Sequence, residues 1–512
     1  MRTIRVLAAV LTAALAAGCA TGPAAAEGDG PAAPAWQECG TGLDCASLEV
    51  PVDHADPDGP TFGLALVRHR ATDPAQRIGS HLVNPGGPGA PAGDLVRAID
   101  AAAGTGPYSP ELLARFDVVG MDPRGVGGSA GVRCQTDAER EEALAFDYDP
   151  TLPGMGPREE LVALAEDLVQ GCAENIDPAL LGHLATDDVA RDMDLVRQAL
   201  GEERISYLGQ SYGTLLGATY ATLFPGHVRQ MVLDAPVDPL TWQTDPMGAS
   251  LDQAVASERM LDAWFATCRA EGPVCTFGGG DPEAAFDALI TRLEATPLEV
   301  PANEPVPAQR VDGGAALLAA RTAAFGPMLW PFLTAGLTAA EQGDGSVLAT
   351  LGTVLTRNLD GTPNGLGEAN LAVNCLDRAI PADLAAHDRN AADAVAAAPR
   401  FGELSGYLAL ACVDWPATNP DRFTGPYTGA GAPPVLVVGG REDSQTPYEW
   451  AGSMTSQLEG SVLLTREGYG HGSDRTGSPC VDAAVDRLLV DGALPAPGTT
   501  CPGPPATTAL PG

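Results

Sequence analysis

The stretch ISYLGQSYGTLLGATYATLFP, residues 205–225, decides the fold. Ile205 to Gly209 is a short apolar run of strand type. Tyr212 to Phe224 is an apolar run of helical length that stops at Pro225, and GQSYG (209–213) lies between the two. G-x-S-x-G alone says little: with 61 glycines and 16 serines in 512 residues, composition gives about 0.2 occurrences by chance. The flanks supply the meaning. A strand that runs through a sharp turn into a helix is the setting in which a serine hydroxyl is held exposed at the top of a sheet. The crowding of that turn demands small residues at Gly209 and Gly213.

Outward from this turn the same alternation recurs. FGLALVRHR (62–70), SHLVN (80–84) within SHLVNPGGPG, FDVVGM (116–121), RQMVLDAP (229–236), PPVLVVGG (433–440) and SVLLTREG (461–468) read as strands, each built on a short apolar run. TDDVARDMDLVRQALG (186–201) has helical spacing, with Thr186 as the expected N-cap and Gly201 as the stop. CVDAAVDRLLVDG (480–492) reads as a closing helix. Strands and helices in this order imply a mostly parallel sheet with helices on both faces. From 241 to 425 the pattern changes to Ala/Leu-rich, helix-compatible sequence such as GGAALLAARTAAF and ADLAAHDRNAADAVAAA. The expected organisation is an α/β core in two parts, 36–240 and 426–512, interrupted by a largely helical cap, 241–425.

The N-terminus reads as an export signal. MRTIR is a short basic start, Val6 to Ala17 is apolar but too short to span a bilayer, and LAAGC resembles a lipobox ending at Cys19. Residues 1–18 are therefore expected to be a lipoprotein-type signal peptide, Cys19 the lipidated residue and 19–35 a flexible tether. The alternative is a secretory signal cut after an A-x-A site. Setting Cys19 aside leaves ten of the 11 cysteines, an even number suited to disulfides outside the cell. Neighbouring pairs are expected: Cys39–Cys45, Cys134–Cys172, Cys268–Cys275, Cys375–Cys412 and Cys480–Cys501. The net charge of −37 argues against a nucleic-acid partner. The chain has no lysine, which excludes Schiff-base, Walker A and Ser–Lys chemistry. No cysteine or histidine spacing suggests a metal, and none is expected.

A serine hydroxyl needs a base and a group that orients the base. Of seven histidines, His471 alone lies in a glycine loop, GYGHG, just after a strand. Asp443 follows VLVVGG directly, at the carboxyl end of a parallel strand, where ligand crevices form; Glu442 and Asp414 are the alternative orienters. Thr446, three residues on, could hold the Asp443 carboxylate. The order Ser211, Asp443, His471 is that of the α/β-hydrolase triad. For the oxyanion, the N–H of Tyr212 and one from NPGGPG (84–89) are expected, Gly87 first and Gly86 second.

NPGGPG, DVVGMDPRGVGGS, GQSYGTLLGATYATLFP, VLVVGGREDSQTP and GYGHG together resemble the actinobacterial tripeptidyl aminopeptidases. These are α/β-hydrolase serine peptidases related to prolyl aminopeptidases, and the family includes mycobacterial cell-envelope lipoproteins. The resemblance covers most of 36–502. It implies an exopeptidase acting on peptides with free N-termini, without cofactor, with carboxylesterase and envelope-protein protease as the activities of some relatives. It implies the triad on Ser211, Asp443 and His471 and the oxyanion donors on Gly87 and Tyr212. Pro85 stands where prolyl aminopeptidases begin this loop with histidine, which favours the tripeptidyl branch. A peptide's ammonium group calls for a carboxylate in the cap. Asp377 in NCLDRA and Asp414 in CVDWP are the candidates, beside cysteines expected to be bridged.

Overall fold

The computed structural model describes residues 31–101, 108–144, 158–303, 306–358 and 360–510. The expected signal peptide, Cys19 and most of the tether lie outside the described residues.

The core strands are β1 (Gln37–Gly40), β2 (Leu43–Pro51), β3 (Thr61–His69), β4 (Gly79–Asn84), β5 (Phe116–Met121), β6 (Ile205–Gln210) and β7 (Val228–Asp234). In the cap, β8 (Leu298–Val300) and β9 (Gln309–Val311) pair antiparallel; β10 (Leu436–Glu442), β11 (Val462–Tyr469) and β12 (Thr500–Cys501) return to the core. The ten core strands form one sheet in the order β1-β2-β3-β5-β4-β6-β7-β10-β11-β12. From β5 to β12 all neighbours are parallel, while β1, β2 and β3 add an antiparallel edge. β1, β2 and β12 were not anticipated. Leu43, Leu48 and Val50 are the buried apolar residues of β2, with Asp44 buried beside them, and Ser47 and Glu49 are exposed, so the strand does not read as an apolar run.

The central strands are buried along most of their length because both faces are covered. Leu82, Val119, Tyr207, Leu233 and Val437 point to one side, against the helices Thr186–Ala199 and Tyr212–Leu223. Their chain neighbours Val83, Val118, Leu208, Val232 and Val438 point to the other, against Ala92–Ala101 and Pro479–Asp491. The cap has a core of its own. Trp264, Phe265, Phe286, Trp330 and Leu337 are buried among its helices Pro246–Glu271, Pro282–Ala295, Gly313–Ala323 and Trp330–Glu341.

Thr186 is not the N-cap of its helix. Ala185 takes that position without a side-chain hydrogen bond, and Thr186 is the first helical residue. Its hydroxyl is drawn away by stronger partners, the Asp377 carboxylate and the Tyr212 hydroxyl, each at 2.5 Å. The helix ends at Ala199, with Gly201 just beyond it at φ +70°. Five disulfides close local loops: Cys39–Cys45, Cys134–Cys172, Cys268–Cys275, Cys375–Cys412 and Cys480–Cys501. Among the described residues, no helix is long and apolar enough to cross a membrane.

Candidate active site

Ser211 sits between the end of β6 and the helix Tyr212–Leu223, at φ 55° and ψ −126°. A non-glycine residue rarely adopts that conformation, and here the surroundings enforce it. The Ser211 N–H donates to Asp234 O at the end of β7 (3.0 Å). The turn is tight: a Cβ on Gly209 would lie 2.2 Å from Gly213 O, and one on Gly213 would lie 2.7 Å from Asn84 O. Glycine at these two positions is a matter of space.

Asp443 follows β10 and His471 follows β11, so neighbouring parallel strands deliver both to the same end of the sheet. His471 Nδ1 lies 2.9 and 3.0 Å from the two Asp443 oxygens. Asp443 is fixed in turn by the N–H groups of Gln445 and Thr446, each 2.9 Å from Oδ1. The Thr446 hydroxyl is 3.4 Å from His471 Nδ1. Burial works against charge on His471, but the charge of Asp443 and the hydrogen bond to it outweigh burial and hold the imidazole above its ordinary value. Burial likewise opposes the Asp443 charge, yet His471 and the two N–H donors hold its carboxyl below the usual range. The pair is built to support an imidazolium. Glu442 ends β10 and offers only its carbonyl, which accepts from Gly470 N–H (2.9 Å).

The His471 loop meets the Ser211 turn through Asp234. One Asp234 oxygen accepts from Ser473 and Asp474 N–H (2.8 and 2.9 Å) and from the Gln210 side chain (3.2 Å). Arg466, buried on β11, tightens the same loop by donating to Ser473 Oγ, Tyr469 O and Gly470 O. In the sequence Arg466 reads only as part of a strand, at the polar end of VLLTREG, and nothing local marks its role.

NPGGPG follows β4 and presses on the turn from the other side. A Cβ on Gly86 would lie 2.9 Å from Ser211 Cβ and 3.1 Å from Tyr212 N. The Gly86 N–H is taken by the Asn84 side chain (2.9 Å). The N–H groups of Gly87, at φ +106°, and of Tyr212 form no hydrogen bond among the described residues. Two donors without partners among the described residues, on the two segments that Gly86 brings together at the Ser211 turn, suit an oxygen that gains negative charge.

The remaining histidines have other surroundings. His54 contacts Asp192, and His227 Nδ1 is 2.6 Å from Asp194. His183 lies 3.7 Å from Asp188, and His387 is near Pro381 O (3.0 Å). His69 lies on β3. His81, wholly buried on β4, is pushed down to about 3 by burial and by nearby Arg475. No group of three or more potential metal ligands occurs among the described residues.

Residues 82–269 match the family model described as alpha/beta hydrolase fold, and residues 398–501 match the one described as TAP-like protein. Over 478 residues the chain is 34% identical to Serine protease Hip1 of Mycobacterium tuberculosis, covering 89% of this chain and 87% of that protein. It is 34% identical over 478 residues to Carboxylesterase B of the same species, covering 89% and 86%. It is 31% identical over 483 residues to Tripeptidyl aminopeptidase of Streptomyces coelicolor, covering 91% and 85%. The chain belongs to the tripeptidyl aminopeptidase-like α/β hydrolases. It is a serine hydrolase.

In this tripeptidyl aminopeptidase-like hydrolase the two cap carboxylates occupy different surroundings. Asp377 is buried and gives its oxygens to Thr186 N–H (2.9 Å) and Oγ1 (2.5 Å). Burial pushes it up to about 7 against those hydrogen bonds, with Asp187 and Asp188 adding to the rise. Asp414 is exposed and lines a cavity of ≈ 200 Å³ with Glu166, Val169, Leu384 and Leu410. It makes no hydrogen bond or ion pair among the described residues. The Cys375–Cys412 bridge joins their segments without bringing the two carboxylates into one site.

Proposed function

We propose that this serine hydrolase is an exported aminopeptidase that releases short peptides, tripeptides among them, from free N-termini. Ser211 is the nucleophile, His471 the general base and then acid, Asp443 the orienter, and the N–H groups of Gly87 and Tyr212 the oxyanion donors. The reading rests on one observation above all: Ser211 stands in a positive-φ turn at the end of β6 that is tied through Asp234 to the loop of His471, whose imidazole lies 2.9 Å from Asp443. His471 takes the hydroxyl proton as Ser211 attacks the peptide carbonyl, and the new oxyanion is held by Gly87 and Tyr212. His471 then protonates the leaving amine, and water, activated by the same imidazole, releases the acyl group. The relatives named serine protease and tripeptidyl aminopeptidase support peptide chemistry.

Carboxylesterase is the second reading, favoured by the equally similar relative that carries that name. Export is supported by the N-terminal sequence and by five disulfides, which persist outside the reducing cytosol. Of the two carboxylates considered for the substrate ammonium, Asp377 is taken up by Thr186, and Asp414 is exposed on a cavity whose lining includes none of Ser211, Asp443 and His471. The deciding experiment compares tripeptide anilides with free and blocked N-termini, and short and long acyl esters, on the purified protein and on Ser211→Ala. Cleavage of free-N-terminus anilides, with loss of at least about 10³-fold in the variant, is expected. Ester turnover without anilide cleavage would remove the peptidase reading, and full activity in Ser211→Ala would remove Ser211 as nucleophile.

A further inference from the structure

Two contacts run from the cap into the chemistry itself. On the oxyanion side, the cap helix Leu366–Asp377 lies directly on NPGGPG: a Cβ on Gly89 would be 2.7 Å from Leu366 O and 3.0 Å from Asn370 N. The Asn370 side chain donates to Pro88 O (3.1 Å), the carbonyl one residue beyond the Gly87 N–H, and is held by Asn374 Nδ2 on its own oxygen (2.9 Å). On the base side, the cap turn after helix Gly313–Ala323 lies on the His471 loop. His471 N–H donates to Phe325 O (2.7 Å), and the Phe325 ring stands edge-on to the imidazole with centroids 5.6 Å apart. The Ser444 hydroxyl, next to Asp443, donates to Ala324 O (2.7 Å).

We infer that the cap is part of the acyl-transfer machine, with Asn370 the positioning residue for the oxyanion donor Gly87 and Phe325 the positioning residue for His471. The inference rests on the Ser211 reading above. Its physical reason is that neither loop is fixed by the sheet alone. NPGGPG carries positive φ at Gly86, Gly87 and Gly89, and the His471 loop carries it at Gly470 and Gly472. Glycine-rich chain of this kind has many accessible conformations and needs outside contacts to hold one. A displacement of about 1 Å at such a site costs on the order of 10²-fold in rate.

A cap that only selected substrate would matter for peptides and not for p-nitrophenyl acetate, which is too small to need it. A cap that positions the machinery matters for both. The variants are Asn370→Asp, which keeps size but loses the donor to Pro88 O, and Phe325→Ala; Thr338→Val, remote on the cap, is the control. Expected for Asn370→Asp is a fall of roughly 10- to 100-fold in the acylation rate with p-nitrophenyl acetate, matched in kcat for the peptide, with the peptide KM within about threefold of wild type. For Phe325→Ala the acid limb of kcat/KM should also move to higher pH. Water then reaches an imidazole that burial had held down, while Asp443 and Asp234 continue to raise it, Arg466 to lower it and Thr446 stays at 3.4 Å. Ester acylation at the wild-type rate in both variants, with any loss confined to peptide KM, overturns the inference. Should Asn370→Asp fail to fold, the pH profile of Phe325→Ala decides, and an unmoved acid limb overturns it. Ester turnover persisting in Ser211→Ala would instead sink the Ser211 reading on which the inference rests.

Discussion

At the scale of single residues, the proposed mechanism, with His471 as base to Ser211, makes the His471–Asp443 pair set the pH dependence. The base must be neutral to accept the Ser211 proton, so activity falls on the acid side as His471 charges. Asp443 holds that imidazole above its ordinary value despite burial, so the acid limb of kcat/KM lies above that of a free imidazole. Asp443→Asn removes the charge that raises it. The acid limb should then move down, and kcat should fall by about 10⁴-fold, the scale of the same change in other Ser-His-Asp enzymes. A pH–rate profile of the variant checks both; an upward shift would mean that Asp443 does not face the base. The sharp turn at Ser211 and the meeting of Asp443 with His471 were legible in the sequence because each residue stands in the turn that follows a strand. Parallel strands bring such turns to one end of the sheet whatever the rest of the fold does. Asn370 and Phe325 were not legible. They belong to the cap, where the contact made by each face depends on how the cap docks.

At the scale of elements, the elbow between β6 and the helix Tyr212–Leu223 is the most crowded turn bearing on the site. Gly209→Ala would set a methyl 2.2 Å from Gly213 O, a backbone atom that cannot swing aside. Gly201, just past the end of the helix Thr186–Ala199, is different: a methyl there would meet nothing within 4 Å, and only the φ of +70° resists it. Gly201→Ala should therefore cost about 1 kcal/mol, while Gly209→Ala should cost at least about 2–3 kcal/mol and abolish acylation. Urea titration of the two variants, with rates, separates space from backbone conformation; equal costs would refute the steric account. The alternation of apolar strands and helices made the central sheet legible. β1 and β12, at the two edges of the sheet, escaped because they are short, and β2, inside β1, because it is only half-apolar. Thr186 misled because a threonine before an acidic, helix-spaced run has the composition of an N-cap, and nothing local reveals that Asp377, 191 residues away, takes its hydroxyl.

At the scale of the whole molecule, the question is what seats the cap on the core. The five disulfides do not: each closes a loop within 38 residues of sequence, inside either the core or the cap. Side-chain packing does part of it: Ala369, Ala372, Leu376 and Trp415 of the cap share one buried apolar cluster with Val126, Val132, Leu181 and Leu184 of the core. Polar contacts add to it, and the most buried core–cap ion pair among the described residues joins Arg140, on the core segment, to Glu368 on the cap helix that carries Asn370. Their side chains are 6% and 7% exposed, with Arg140 Nη2 2.5 Å from Glu368 Oε2, while Glu368 Oε1 accepts from Gln135 N–H at 2.9 Å. Removing Glu368 leaves the buried Arg140 with Asp137 alone (3.0 Å), a partner whose own side chain is largely exposed. Glu368→Ala should therefore lower stability by about 2–3 kcal/mol, less than the loss for a buried charge left wholly unpaired. The double variant Arg140→Met with Glu368→Met strands no charge and should recover most of that loss, though it leaves Gln135 N–H without its acceptor. Rates add a second reading, because the helix that loses its tie also holds NPGGPG. Glu368→Ala should slow p-nitrophenyl acetate acylation at temperatures well below its melting point, and the apolar double variant should slow it less. Calorimetry with ester kinetics on both variants tests this. If Glu368→Ala melts as the wild type does, the pair does not seat the cap; if it melts early yet acylates at the wild-type rate, docking of this helix and placement of the oxyanion loop are separate matters.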